Sequence, residues 1–353
     1  MSAPAPRPGT ASPADQDLLL AVVGAGRIGS NHAEIVARRI PGVRLAAVCD
    51  VSAEAAKGLA ERLGAPVAVS DPEEVLARPE IGGVLVTAPA REHTALVVAA
   101  AEAGKHVFVE KPMAVTLHDA DRAIRAAERA GTVLQVGFNR RFSPGFAAAR
   151  AAIDRGDVGT PQLMRSLTRD PGPFTADPAR IPAWTIFLET LIHDFDLLCW
   201  LNPGAAPVRA HAVADALIRP DARSSGHLDT AVATVVFDNG AIATAEASFS
   251  ALYGYDVRAE VFGSAGMVTM GDGRSTDMAL YGAEGVRIDI SRRDTDLMRP
   301  AYLAELTAFT EAIRRGAPAP VGGRDARTAL ATALACIDSV RSGAPVEIAE
   351  AAP

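Results

Sequence analysis

The chain has 353 residues, the length of two ordinary domains. Apolar residues make up 49% and charged residues 22%, which excludes a disordered or collagen-like chain; the formal net charge of -7 argues against nucleic acid or an acidic membrane as the main partner. Cys49, Cys199 and Cys336 are far apart and odd in number, so neither a disulfide framework nor a metal site is expected, and a reducing cytoplasmic setting is.

Residues 1–17 are rich in Pro, Ala and Ser, have no apolar face and read as a disordered tail without the apolar core of a signal peptide. From Leu18, short apolar strands (18–23, 43–50, 67–69, 83–88, 106–110, 133–138) alternate with amphipathic helices (27–39, 53–63, 72–77, 91–103, 116–130). Nearly continuous apolar strands between helices predict an α/β, doubly wound parallel sheet, the Rossmann type, over 18–138. Past 139 the texture changes. A helix (144–155), a strand (162–169), an irregular Pro/Gly stretch and a helix (186–201) precede β segments at 208–218, 229–237, 241–249, 253–263, 266–270 and 286–290, and helices at 301–315 and 324–341 close the chain. Turns such as Asp238-Asn239-Gly240 predict hairpins, so 139–353 reads as an α+β domain on a large, mostly antiparallel sheet.

Gly24-Ala25-Gly26-Arg27-Ile28-Gly29 links the first strand to the first helix, and Asp50 ends the second strand, twenty-one residues after Gly29. In that context the glycines have separate tasks: Gly24 makes the tight turn, Gly26 lets a pyrophosphate approach the backbone, and Gly29 lets helix and strand pack closely. Asp50 is placed to accept from ribose hydroxyls and to repel a 2′-phosphate, which favours NAD; Arg27 keeps NADP possible.

Only three lysines, Lys57, Lys105 and Lys111, stand among thirty-two arginines. Lys111 ends the fifth strand, at the edge of a sheet where ligands bind, and an ammonium there can stabilise charge on a reacting oxygen. In the helix over 186–201, Glu189, His193 and Asp196 fall one turn apart on a stripe beside a broad apolar face. Histidine between two carboxylates reads as a general acid/base with its orienting groups. Glu189 is expected to hold the imidazole by a hydrogen bond and so favour the imidazolium. No second histidine or cysteine accompanies the stripe, so no metal is expected. Tyr253 and Tyr255 alternate, as residues on one face of a strand do.

The segments GAGRIG, VTAP-x-x-x-H (Val86 to His93), AGKHVFVEKP (Ala103 to Pro112), QVGFNRRF (Gln135 to Phe142) and ETLIHDFD (Glu189 to Asp196) together resemble the Gfo/Idh/MocA oxidoreductase family, most of all its inositol 2-dehydrogenase branch, over Leu18 to Ile348. The resemblance implies a Rossmann domain followed by an α+β domain whose open sheet builds a homodimer or homotetramer. It implies that Thr87, Ala88, Pro89, His93, Glu110 and Lys111 serve the cofactor site. It implies that Lys111 and His193 act on a substrate hydroxyl, and that Arg141, Thr190, Asp196, Tyr253 and Tyr255 lie at the substrate. Glu189 stands where the branch has aspartate, and the segment 171–178 also departs from it.

These readings converge on an NAD(P)-dependent oxidoreductase acting on a secondary hydroxyl of a cyclic polyol or sugar, with no nucleic acid and no membrane as partner. Three alternatives stay open: a glycoside hydrolase using redox elimination with retained NAD, a reductase of a ketone or conjugated alkene, and a non-enzymatic dinucleotide sensor.

Overall fold

The computed structural model describes residues 17–172, 182–271 and 273–349. The expected tail, apart from Asp17, and most of the segment 171–178 lie outside them. The first part of the chain runs β1 (Leu18–Val23), α1 (Arg27–Arg38), β2 (Val43–Cys49), α2 (Ala53–Leu63), β3 (Val67–Val69), α3 (Pro72–Leu76), β4 (Gly83–Val86), α4 (Ala90–Glu102), β5 (His106–Val109), α5 (Leu117–Ala130) and β6 (Leu134–Val136). Its strands form one parallel sheet in the order β3-β2-β1-β4-β5-β6. Because helices cover both faces, Leu20, Val22, Leu85, Val107 and Phe108 are wholly buried; each large side chain so buried contributes about 1.5–3 kcal/mol before entropy is counted. Strand order reverses between β1 and β4, which opens a crevice at the carboxyl ends.

The helix ends follow from local chemistry. Thr116 caps α5 by accepting from the Asp119 N–H, and Gly131 at φ +66° stops it in the left-handed conformation that glycine adopts without strain.

The second part comprises α6 (Pro144–Asp154), β7 (Pro161–Arg169), α7 (Ile192–Trp200), β8 (Pro207–Asp215), β9 (Thr230–Phe237), β10 (Ile242–Ser248), β11 (Asp256–Gly263), β12 (Met267–Met270), β13 (Arg274–Gly282), β14 (Gly285–Ile290), α8 (Asp294–Leu297), α9 (Arg299–Arg315), α10 (Gly323–Ser342) and β15 (Val346–Glu347). A seven-stranded sheet in the order β12-β11-β7-β10-β9-β8-β15 is antiparallel except where β10 pairs β7 in parallel. Its inner face is lined by small buried residues: Ala210 and Ala212 on β8 let α10 lie close, and Ala243 and Ala245 on β10 lie on the side that meets the helical stretch 186–200. β13 and β14 form a separate hairpin. β13 was not expected, because its mixed polar sequence, RSTDMALYG, carries little apolar alternation.

The C-terminal helices return to the first sheet. Gln135 Nε2 donates to the Glu305 carbonyl at 2.7 Å, the Val136 N–H to the Val321 carbonyl at 3.0 Å, and Phe309 packs edge-on to Phe108. α9 thereby packs along β5, whose end carries Lys111, and along the turn 139–142.

Candidate active site

The glycine loop shows the division of labour its sequence predicts. Gly24 sits at φ +109°, and a Cβ there would lie 2.7 Å from Ala88 N and the Thr87 carbonyl. A Cβ at Gly29 would be 1.9 Å from the Gly24 carbonyl oxygen, so α1 meets its strand with no room for a side chain. A Cβ at Gly26 would meet nothing within 4 Å, which leaves that face of the loop open. The N-terminus of α1, which includes Ile28, has no side-chain cap and no acid in its first turn. Free N–H groups and an open glycine face fit a dinucleotide pyrophosphate. Thr87 braces the loop from below, donating to the carbonyls of Val23 and Gly24. Asp50 accepts from the N–H groups of Ala25 at 2.6 Å and Ser52 at 2.8 Å, which aims its carboxylate along the loop where a ribose would lie.

Other expected cofactor residues support this surface from behind. Both ring nitrogens of His93 reach carbonyls, Nδ1 to Pro112 at 2.8 Å and Nε2 to Ala88 at 2.7 Å, so His93 clamps the Ala88-Pro89 entry to α4 against the turn after Lys111. Glu110 turns inward to His32 Nε2 at 2.7 Å and accepts from the Lys111 N–H at 3.2 Å, a correction to its reading as a cofactor contact. Arg27, half exposed and lining the cavity, pairs with Asp294 at 2.6 Å across to α8.

A cavity of about 390 Å³ lies between the carboxyl end of β5, the α7 region and the second sheet. Lys111, Glu189, Thr190, His193 and Tyr255 line it, as expected. Lys111 Nζ donates to the Glu189 carbonyl at 3.0 Å. Residues Ile186–Leu191 form a π-helical turn before α7. The extra residue in that turn breaks the alignment that spacing by four assumes. The Glu189 carboxylate accordingly makes no hydrogen bond to His193, and His193 Nδ1 is shielded with no partner among the described residues. Nε2 is the ring nitrogen left facing the cavity. Burial, then the positive charges of Arg140 and Lys111, push the imidazole well below its usual range, opposite to the expected shift. His193 is therefore neutral at neutral pH. Phe138 packs edge-on to the ring at 5.8 Å and fixes its plane. Replacing Glu189 by glutamine should leave the ionisation of His193 unmoved and raise substrate KM roughly tenfold, the worth of one charge-assisted hydrogen bond; pH-rate profiles check both.

Three further expectations are corrected. Arg141 and Asp196 pair with each other in the interior, at 2.8 and 2.5 Å, with Asp325 beside them, and neither lines the cavity. Their neighbours take the place: Arg140 lines the cavity and donates to Asp194 at 2.9 Å and Thr168 at 2.7 Å, while Asp194 also accepts from Ser166 and Thr168. The tight 3-10 turn Asn139–Phe142 sends the two arginines opposite ways. Tyr253 is half exposed in a turn and donates to Asp256, whereas Tyr255, beyond Gly254 at φ +122°, is buried at the cavity; they share no strand face. Sequence reasoning missed Asp170, just past the end of β7, whose carboxyl lines the cavity and is pushed up to about 7 by burial against the opposing charges of Arg140 and Lys111. Its place past a strand end before Pro171-Gly172 was the available signal.

Residues 18–138 match the Gfo/Idh/MocA model of an oxidoreductase family with an NAD-binding Rossmann fold, and residues 146–269 match the Gfo/Idh/MocA C-terminal domain. The chain belongs to the Gfo/Idh/MocA family. It is 35% identical over 335 residues to a myo-inositol 2-dehydrogenase of Thermotoga maritima, covering 94% of this chain and 98% of that one. It is 35% identical to a scyllo-inositol 2-dehydrogenase (NAD(+)) of Bacillus subtilis, covering 93% and 95%. A crystal structure of myo-inositol 2-dehydrogenase from Lactobacillus plantarum superimposes with a TM-score of 0.89 at 27% identity, covering 95% and 100%. This member of the family is an NAD-dependent dehydrogenase acting on CH–OH. Among the described residues no helix is long and apolar enough to cross a membrane.

Asp50 offers the test of cofactor choice. Asp50→Ser should weaken NAD use about tenfold, the loss of one charge-assisted hydrogen bond, and improve NADP use because the repelling charge is gone. The ratio of kcat/KM for the two cofactors measures it.

Proposed function

We propose that this dehydrogenase oxidises one secondary ring hydroxyl of an inositol-type cyclic polyol. The observation that carries the reading is a neutral imidazole and an ammonium facing one cavity that is also walled by Asp170, Glu189 and Arg140. A polyol presents a ring of donors and acceptors, and these side chains supply matching partners.

His193 takes the hydroxyl proton at Nε2, which its neutrality permits. Lys111 sits where its charge stabilises the oxygen as that proton leaves. Bound NAD supplies the acceptor for the carbon-bound hydrogen. In the reverse direction His193 returns the proton. Phe138 holds the imidazole, so the carboxylate of Glu189 is left for the substrate. Incubation with myo-, scyllo- and chiro-inositols, aldoses and amino sugars, each with NAD+, followed by absorbance of the reduced nicotinamide, tests the reading. Turnover confined to non-polyol substrates would end it.

The same reading assigns 18–138 to the cofactor and 139–353 to substrate and assembly, and places the enzyme in the cytoplasm, in keeping with free Cys49, Cys199 and Cys336. It also makes the chain a homodimer or homotetramer through the outer face of the seven-stranded sheet. There Met267, Phe262, Leu163, Ile242 and Val236 form one cross-strand row, four of them about half exposed. Phe262→Glu with Leu163→Glu should yield a monomer by sedimentation; an unchanged mass would remove this face from the assembly.

A further inference from the structure

Three ionisable side chains that the mechanism does not use meet behind Lys111. His32 on α1, Glu110 at the end of β5 and Glu305 on α9 bring ligand-type atoms within 4.8 Å of one another. His32 and Glu305 are 0% exposed. Glu110 is engaged on both oxygens, with His32 and with the Lys111 N–H. Among the described residues, both carboxyl oxygens of Glu305 lack a hydrogen-bond partner. The rings of Phe108 and Tyr302 pack edge-on to His32, each at 5.4 Å, and close the cluster off.

An ionised carboxylate here, fully buried and without a hydrogen-bond partner among the described residues, would face a second carboxylate. We propose that Glu305 is held as the neutral acid, so that the cluster carries one carboxylate charge, on Glu110, and that this proton lets α9 dock against the strand end that positions Lys111. Glu305 is thus a positioning residue: it touches neither cofactor nor substrate. The charges facing it fit this assignment. Burial drives the Glu305 carboxyl well above its usual range, and the Glu110 charge adds to that. Burial also acts to raise Glu110, but the hydrogen bond and charge of His32, with Lys111 and His93, hold it below its usual range. Tyr302, on α9 itself, is driven up and stays neutral.

A group raised in the folded state stabilises most below its unfolded value and loses that contribution as pH rises toward its folded value. Folding at neutral pH therefore takes up one proton, which Glu305→Gln abolishes. In urea unfolding between pH 6 and 8, the unfolding constant of the wild type should rise about tenfold per pH unit relative to that of Glu305→Gln. Parallel pH dependences would overturn the proposal. If the variant fails to fold, infrared spectra of wild type carrying ¹³C-glutamate decide: a protonated-carboxyl band surviving at pH 8 supports it, and its absence overturns it. Stoichiometric zinc or manganese binding lost in Glu305→Gln would also overturn it, by making the cluster a cation site. Positioning is read separately. Glu305→Gln should keep kcat within about threefold, while Glu305→Ala loses tenfold or more in kcat at little changed KM; equal kcat in the two variants would reject the link to Lys111.

Discussion

Lys111→Arg should lower turnover by about 10²–10³-fold, the usual cost of losing one preorganised donor at a developing oxyanion. The ammonium reaches the Glu189 carbonyl at 3.0 Å from the end of β5, and a wider, planar, delocalised guanidinium cannot reproduce that compact charge. NAD binding, measured by calorimetry, should change little, because the glycine loop and Asp50 are untouched. A variant within a few-fold of wild type would make Lys111 a strand-end residue held by its carbonyl contact alone.

His193→Gln should cost about 10²–10⁴-fold, the range for a positioned general base. The pH dependence has a definite sign. Burial, Arg140 and Lys111 depress the imidazole, so His193 is neutral above its ordinary value near 6.5 and stays so for some way below it. The neutral ring's contribution to stability is complete above about pH 6.5 and is lost as pH falls through the folded value. Oxidation by the wild type should persist into weak acid, and its acid limb should vanish in His193→Gln. An acid limb centred above pH 6.5 that disappears in His193→Gln would contradict the environment described for this ring.

Much of the fold was legible because its signals are local. Nearly continuous apolar strands and Gly24, Gly26 and Gly29 report their surroundings through sterics that neighbouring residues impose. The site was legible where a residue's place is set by a strand end, as for Lys111 and Asp50. It failed where side-chain direction depends on an irregular turn. A π-turn took Glu189 out of line with His193, and a 3-10 turn exchanged Arg141 for Arg140. Gly254 separated Tyr253 from Tyr255 in the same way. Asp170 escaped notice because its altered acidity arises from tertiary burial, which no spacing encodes.

In the proposed reaction, hydrogen passes from a ring carbon of a polyol to NAD while Lys111 and His193 manage the charge and the proton. Inositol deuterated at its ring carbons, incubated with NAD+ and followed by mass spectrometry of the cofactor, tests it most directly. One deuterium is expected in each reduced nicotinamide released, with a slowed rate, and labelled cofactor should form about 10²–10⁴-fold more slowly in His193→Gln. Product formed without labelled reduced cofactor in solution would contradict it and return the chain to redox elimination with retained NAD.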